Sequence, residues 1–237
     1  LVDKSLAHQP QVGEYELHEL VRQFAQEQLA SLEVDISAAL QTRYVRYYLG
    51  FIAARTDQLH TREVQAIVAQ IQQQSENGRH AWQIALRQQW IEPLAAAIPA
   101  LLQYWMVTGR YVEGEALIKA ALPTIEAIAN GVDADLQSQK LFIALWLAYA
   151  ECLYGQNLYK AALEATEKAV SLALAAGDDR QYAHGLILLA ETLSWQGRHG
   201  EAQPFAERAY QLAQQYALWK IEARALIALA WYSETLE

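Results

Sequence analysis

The chain is poor both in residues that interrupt helices and in residues that build covalent or metal frameworks. Among 237 residues there are only 11 Gly and 5 Pro, too few for the dense turn punctuation of a β-sandwich or barrel. The single cysteine, Cys152, excludes an internal disulfide framework and a cysteine-rich zinc site, and it accords with a reducing compartment. No run reaches the roughly eighteen uninterrupted apolar residues of a membrane span, and the first residues lack the basic and apolar regions of a signal peptide. The expectation is a cytoplasmic protein with no membrane partner. Basic residues are also short: 18 Lys and Arg against 27 Asp and Glu give a formal charge of −9, which disfavours a phosphate-binding face and hence nucleic acid as a partner. What is abundant is Ala and Leu, within a hydrophobic content of 53%, and this composition points to an all-α protein.

No catalytic constellation emerges from the remaining polar residues. His18 opens an "HEL" run, but a zinc-protease helix needs H-E-x-x-H, and Arg22 stands where the second His belongs. The six histidines (8, 18, 60, 80, 184 and 199) show no ligand spacing on one face. Cys152 lies in the apolar helix "LAYAECLYG" and reads as a small core residue rather than a nucleophile. Asp179, after the helix end "AAGD", is expected to cap the next helix. There is no G-x-x-x-x-G-K-[ST] loop to cradle phosphates. The chain is therefore expected to be non-enzymatic, without cofactor or metal.

Self-comparison is the informative operation. At an offset of 40, "LWLAYAECLYGQNLYKAA" (Leu145 to Ala162) aligns with "GLILLAETLSWQGRHGEA" (Gly185 to Ala202), so that Ala150, Glu151, Leu153 and Gln156 meet Ala190, Glu191, Leu193 and Gln196. A further step of 40 reaches "ALIALAWYSE", and a step of 48 backwards reaches "GRYVEGEALIKAAL" (Gly109 to Leu122) across the longer loop around "NGVDADLQ". Small residues recur at Gly114, Ala162 and Ala202, then seven further on at Ala121, Ala169 and Ala209, and also at Ala150, Ala190 and Ala230. On a helix these fall on one face, where a missing side chain lets a neighbour approach closely. Gly109, Asn157 and Gly197 hold matching turn positions, and both residue types tolerate left-handed backbone. Each unit thus reads as a helical hairpin, with three full units and the first helix of a fourth. Pro93 and Pro204 are expected in first helical turns, whereas Pro99 and Pro123 fall inside helices and should kink them.

These residues resemble the tetratricopeptide repeat, lengthened beyond its ~34-residue period, and the resemblance implies a right-handed α-α superhelix with a concave inner face. Residues 1–92 do not share the period. They contain a short strand (Tyr15, Leu17), an amphipathic helix (Leu20, Val21, Phe24, Ala25, Leu29), an apolar stripe at Ile36, Leu40, Tyr44, Tyr47, Tyr48, Phe51 and Ile52, and helices expected from Glu63 to Gln74 and Glu76 to Trp90. "LVDKSL", "YELHELVRQFAQEQL", "SENGRHAWQIAL" and "GRYVEGEALIKAAL" occur in this order, and together they resemble the region joining winged helix to helical repeats in STAND-class ATPase transcriptional regulators of the LuxR and AfsR-like, NB-ARC type. Gly78 departs from that pattern, which has Leu or Ile there.

The resemblance implies residues 1–32 as the end of a winged-helix subdomain, 33–92 as a helical linker or arm, and 93–237 as the repeats. It also implies an ATPase core upstream in the same polypeptide, on which Val2, Leu6, Tyr15 and Leu17 would pack, with residues 1–13 poorly ordered without it. By the resemblance to the tetratricopeptide repeat, the inner face presents Gln103 and Met106, Glu151 and Tyr154, His184, Glu191, Ser194 and Trp195, and Arg224, Trp231 and Glu234. Aromatics beside carboxylates suit a protein or peptide partner with a basic residue, or a small polyhydroxylated or cationic inducer. In the competing reading the Trp and Tyr residues pack between hairpins and the Glu residues are solvated. Two further functional readings stand beside signal sensing: a structural or self-associating scaffold that forms a homo-oligomer, and the regulatory region of an enzyme whose catalytic domain lies outside the chain.

Overall fold

The computed structural model describes residues 7–8, 16–31, 34–132 and 134–235. The architecture is all-α, with eleven α-helices among the described residues. A short antiparallel pairing of β1 (Ala7–His8) with β2 (Glu16–Leu17) precedes them, Ala7 facing Leu17 and His8 facing Glu16. The expectation for residues 1–13 lies outside the described residues apart from Ala7 and His8, as does that for the packing of Val2, Leu6 and Tyr15.

The first part of the chain forms α1 (Glu19–Ser31), α2 (Val34–Ala53), a 3-10 turn (Gln58–His60), α3 (Val64–Gln73) and α4 (Ser75–Arg87). Helix α2 buries Val45, Leu49 and Ile52, whereas Ile36, Leu40 and Tyr47 of the apolar stripe are exposed. From Asp35 to Gln41 α2 buries no side chain, so among the described residues the stripe reaches the core through the second half of the helix.

The remainder consists of α5 (Ile91–Thr108), α6 (Tyr111–Ala129), α7 (Leu136–Gly155), α8 (Tyr159–Ala176), α9 (Asp179–Trp195), α10 (His199–Gln215) and α11 (Trp219–Thr235). Each helix packs on its successor, and the odd-numbered helices also touch one another in the order α5, α7, α9, α11. Helix α2 rests on α4 and α5, which carries the first core into the helical array.

Six of the connections share one hydrogen-bond pattern; the longer one between α6 and α7 is not among them. Gln89, Gly109, Asn157, Gly177, Gly197 and Ala217 all have positive φ. In each case the next N–H reaches back five residues: Trp90 to the Ala85 carbonyl, Arg110 to Trp105, Leu158 to Leu153, Asp178 to Ala173, Arg198 to Leu193 and Leu218 to Ala213, at 2.8–3.0 Å. This closure satisfies carbonyls that the helix end leaves open and reverses the chain within two residues. The three turn positions expected to be left-handed are so, and Gln89 and Ala217 adopt the same conformation without the residue type that favours it.

Small residues set the distance between helices. Ala121, Ala162, Ala169, Ala202 and Ala209 have no accessible surface. A Cβ on Gly114 would lie 2.6 Å from the Trp105 ring and 2.8 Å from Cys152 Sγ, so only hydrogen fits between α5, α6 and α7. Ala150 and Ala190 are likewise fully buried, but Ala230 is exposed. The helices that follow α7 and α9 cover the first two, and among the described residues no helix follows α11.

Two local expectations are corrected. Pro204 is the sixth residue of α10, not part of its first turn, so the helix forgoes one interior hydrogen bond there. Pro99 and Pro123 lie within α5 and α6, as expected, and both helices continue through them. Asp178, not Asp179, caps α9, its carboxylate accepting from the Gln181 N–H at 3.1 Å, because the helix already begins at Asp179. The 3-10 turn meets the start of α11: Lys220 Nζ lies 2.6 Å from His60 Nε2, and the Trp219 ring stands edge-on to that imidazole.

Replacing Gly114 by Ala is expected to lower unfolding free energy by about 1–3 kcal/mol through overpacking. Ala217→Gly is expected to raise it by up to about 1 kcal/mol, because left-handed backbone costs an L-residue about that much. Thermal or urea denaturation of the two variants checks both signs.

Candidate functional site

The aligned repeats place Glu151 and Glu191 at one position of α7 and α9 and His184 and Arg224 at another of α9 and α11, and stacking of those helices brings the four together. Glu151 follows Ala150 on the packed face of α7, and its side chain is only 3% exposed. A carboxylate so placed must be neutralised or paired. It is paired: Arg224 Nη1 of α11 donates to Glu151 Oε1 at 2.8 Å, and His184 Nε2 of α9 lies 2.9 Å from the same oxygen. The Arg224 fork then grips Glu191 of α9, Nε to Oε1 at 2.8 Å and Nη2 to Oε2 at 2.5 Å. One guanidinium thus ties three helices from three successive units, using the planar bidentate geometry that only Arg offers.

The electrostatic consequence is definite. Burial pushes the Glu151 carboxyl toward the neutral form, but Arg224 and His184 outweigh it and hold its pKa down at about 2. Burial likewise disfavours the charged form of Arg224, and the two carboxylates more than reverse this. Two carboxylates thus face one guanidinium.

Over this cluster lies a cavity of about 460 Å³, within the range of about 300–1,000 Å³ typical of small-molecule sites. Glu191, Arg224 and Ser194 contribute polar atoms, while Tyr154, Trp195, Trp231 and Tyr232 contribute aromatic rings. Trp195 and Trp231 are 65% and 67% exposed. Trp195 is nevertheless fixed in place: its Nε1–H donates to the Tyr154 hydroxyl at 2.6 Å, and its ring lies parallel to that of Tyr159, centroids 5.9 Å apart. Burial, with Glu191 nearby, pushes the Tyr154 hydroxyl up to about 12. Opposite, Ser194 Oγ sits 3.0 Å from His199 Nδ1.

Of the residues expected on the inner face, Tyr154, Glu191, Ser194, Trp195, Arg224 and Trp231 line this cavity, and Glu151 and His184 support it from below. Gln103 and Met106 lie on α5 and do not line it. The side chain of Glu234 lies outside the described residues. The competing expectation of solvated carboxylates fails for Glu151, because α9 and α11 cover it. His199, Ile227, Ala228 and Tyr232 complete the wall. Ala228 and Tyr232 follow Arg224 at four-residue steps on α11, a periodicity that the repeat positions alone did not use. His199 opens α10, outside the helices from which the inner face was read.

The arrangement offers a shaped, aromatic and slightly acidic recess, with the Ser194–His199 pair in its wall. Comparison with protein-family models, curated proteins and solved structures returned no significant match.

Replacing Arg224 by Met leaves two carboxylates, one buried, without their cation, and should cost about 3–5 kcal/mol of stability. Because the folded-state pKa of Glu151 lies below its ordinary value of 4.5, the pair stabilises the fold at neutral pH. That stabilisation should be lost as pH falls from about 4.5 toward 2. Urea titrations of the wild type and Arg224→Met between pH 7 and pH 3 should therefore converge at the acid end.

Proposed function

We propose that the chain is a non-catalytic sensing and interaction region built from tetratricopeptide-like hairpins, belonging to a STAND-type signal-transduction ATPase that regulates transcription. The recess over Glu151, Glu191 and Arg224 receives the inducer or partner. The observation that carries this reading is the convergence of exposed, oriented aromatics on a buried ion-pair network contributed by three successive repeat units. A network that spans units responds to any change in how the units stack, so occupancy of the recess and the pitch of the array are coupled.

Several features support the finer assignments. The ordered motifs of residues 1–122 match the regulator pattern, and the β1–β2 pairing falls where that pattern closes a winged helix. Leu20, Phe24, Ile36 and Leu40 are exposed apolar residues on α1 and α2, the kind of surface that an adjoining ATPase core would cover. The alternation of helix contacts and the shared turn motif suit a right-handed superhelix. Exposed Leu226 and Ile227 on α11 favour a second reading, a self-associating scaffold, which a monomer at all concentrations in sedimentation would contradict.

Calorimetric titration with lysine- or arginine-containing peptides, oligosaccharides and organic cations tests the sensing role. Trp231→Ala is expected to weaken the ligand that binds wild type by tenfold or more, since aromatic contacts of this kind contribute about 1–2 kcal/mol. Binding indifferent to Trp231→Ala would place the ligand elsewhere.

A further inference from the structure

A second cavity, of about 370 Å³, lies between the first part of the chain and the first hairpin. Its walls come from five helices: Ile52 of α2, Ile71 of α3, Gly78 and Trp82 of α4, Trp105 of α5 and Leu117 of α6 are among them. It is distinct from the recess over Arg224 and shares no lining residue with it.

The body of the cavity is apolar, and one missing side chain helps to leave it open. Gly78 is the fourth residue of α4, at the end of its first turn, and is buried. A Cβ built there meets a single side-chain atom, Ile52 Cδ1 at 2.8 Å, the far end of a flexible chain. Trp82 and Trp105, at 2% and 1% exposure, give the wall two rigid rings. The Trp82 indole N–H is buried without an acceptor among the described residues.

The polar edge carries a loosely paired charge. Arg79 and Glu113 both line the cavity, yet Glu113 is principally engaged by Arg110, Oε2 to Nη2 at 2.5 Å, and Arg110 also donates to the Tyr104 hydroxyl at 3.1 Å. Arg79 stands farther off, 3.6 Å from Glu113 Oε1 and 3.3 Å from Glu76, whose side chain is 82% exposed. Two guanidinium groups thus share one partly buried carboxylate. The edge is formally balanced, but Arg79 only stands near Glu76 and Glu113, at 3.3 and 3.6 Å, so its N–H groups can turn to an anionic head.

We propose that this cavity binds an apolar small molecule bearing one carboxylate, its body against Trp82, Trp105 and Gly78 and its head at Arg79. Such a ligand would join α2–α4 to the first hairpin, because no single one of these elements forms the cavity.

Decanoate and decylammonium, which share an apolar body and differ in the charge of the head, are the test pair. Binding is read from the fluorescence of the cavity tryptophans and by displacement of anilinonaphthalene sulfonate. Decanoate should bind at least tenfold more tightly than decylammonium. Gly78→Leu, whose side chain must displace the tip of Ile52 and occupies the cavity, should weaken decanoate tenfold or more. Arg79→Gln removes a half-exposed side chain and should weaken decanoate about fivefold or more while leaving decylammonium unchanged. It carries the test alone should Gly78→Leu fail to fold. No decanoate binding, equal affinity for the two heads, or decanoate binding undiminished by Arg79→Gln would overturn the proposal.

Discussion

A carboxylate with 3% exposure in a stack of apolar helices cannot be left alone, and the way Glu151 is compensated organises the molecule's inner face. Its partner comes from 73 residues further along the chain, so the fold must bring α11 beside α9 and α9 beside α7 before the charge is satisfied. An unpaired buried ion would cost several kcal/mol, comparable to the whole net stability of many domains of this size. The exposed pair Arg198–Glu201, at 41% and 61% exposure, shows the contrast: its geometry is equally good, but solvent leaves it worth less than about 1 kcal/mol. Burial, not the count of ion pairs, decides which of these matters.

The close stacking that this pairing requires is supplied by small residues and uniform turns. Gly114 admits the Trp105 ring and the Cys152 sulfur, and the buried alanines of α8 and α10 do the same without a contact so tight. The repeated five-residue backward hydrogen bond sets six of the reversals in nearly the same geometry, so successive odd helices arrive in register. Register in turn makes Glu151 equivalent to Glu191 and His184 equivalent to Arg224, so each of these basic side chains meets the carboxylate of the preceding unit, 33 residues back. The aromatic recess is thus a product of the same periodicity that builds the core.

Much of this was legible in the sequence because repetition makes spacing visible. The forty-residue offset exposed the small-residue faces, the turn positions at Gly109, Asn157 and Gly197, and the set of inner-face residues from which six line the recess. What escaped had no local signature. Ala217 and Gln89 adopt left-handed backbone because the chain must reverse there, against their own preference. The burial of Glu151 depends on coverage by helices far along the chain, which a pattern within one helix does not report. Helix α2 shows the converse, since a continuous apolar stripe marks what can be buried and leaves open how much of it a neighbour reaches. The cavity beside Gly78 was invisible for a similar reason: its walls belong to five helices, and a single glycine within a helix carries no message about the space next to it.

The central claim is that Arg224 and Glu151 form a buried, energetically coupled pair that holds three successive units together. A double-mutant cycle on unfolding free energy with Glu151→Gln and Arg224→Met measures that coupling directly. Neighbouring charges in a shared network should couple by about 1–3 kcal/mol, so the double variant should be markedly more stable than the sum of the single losses predicts. Additivity within about 0.5 kcal/mol would show that the two side chains do not depend on one another and would contradict the account.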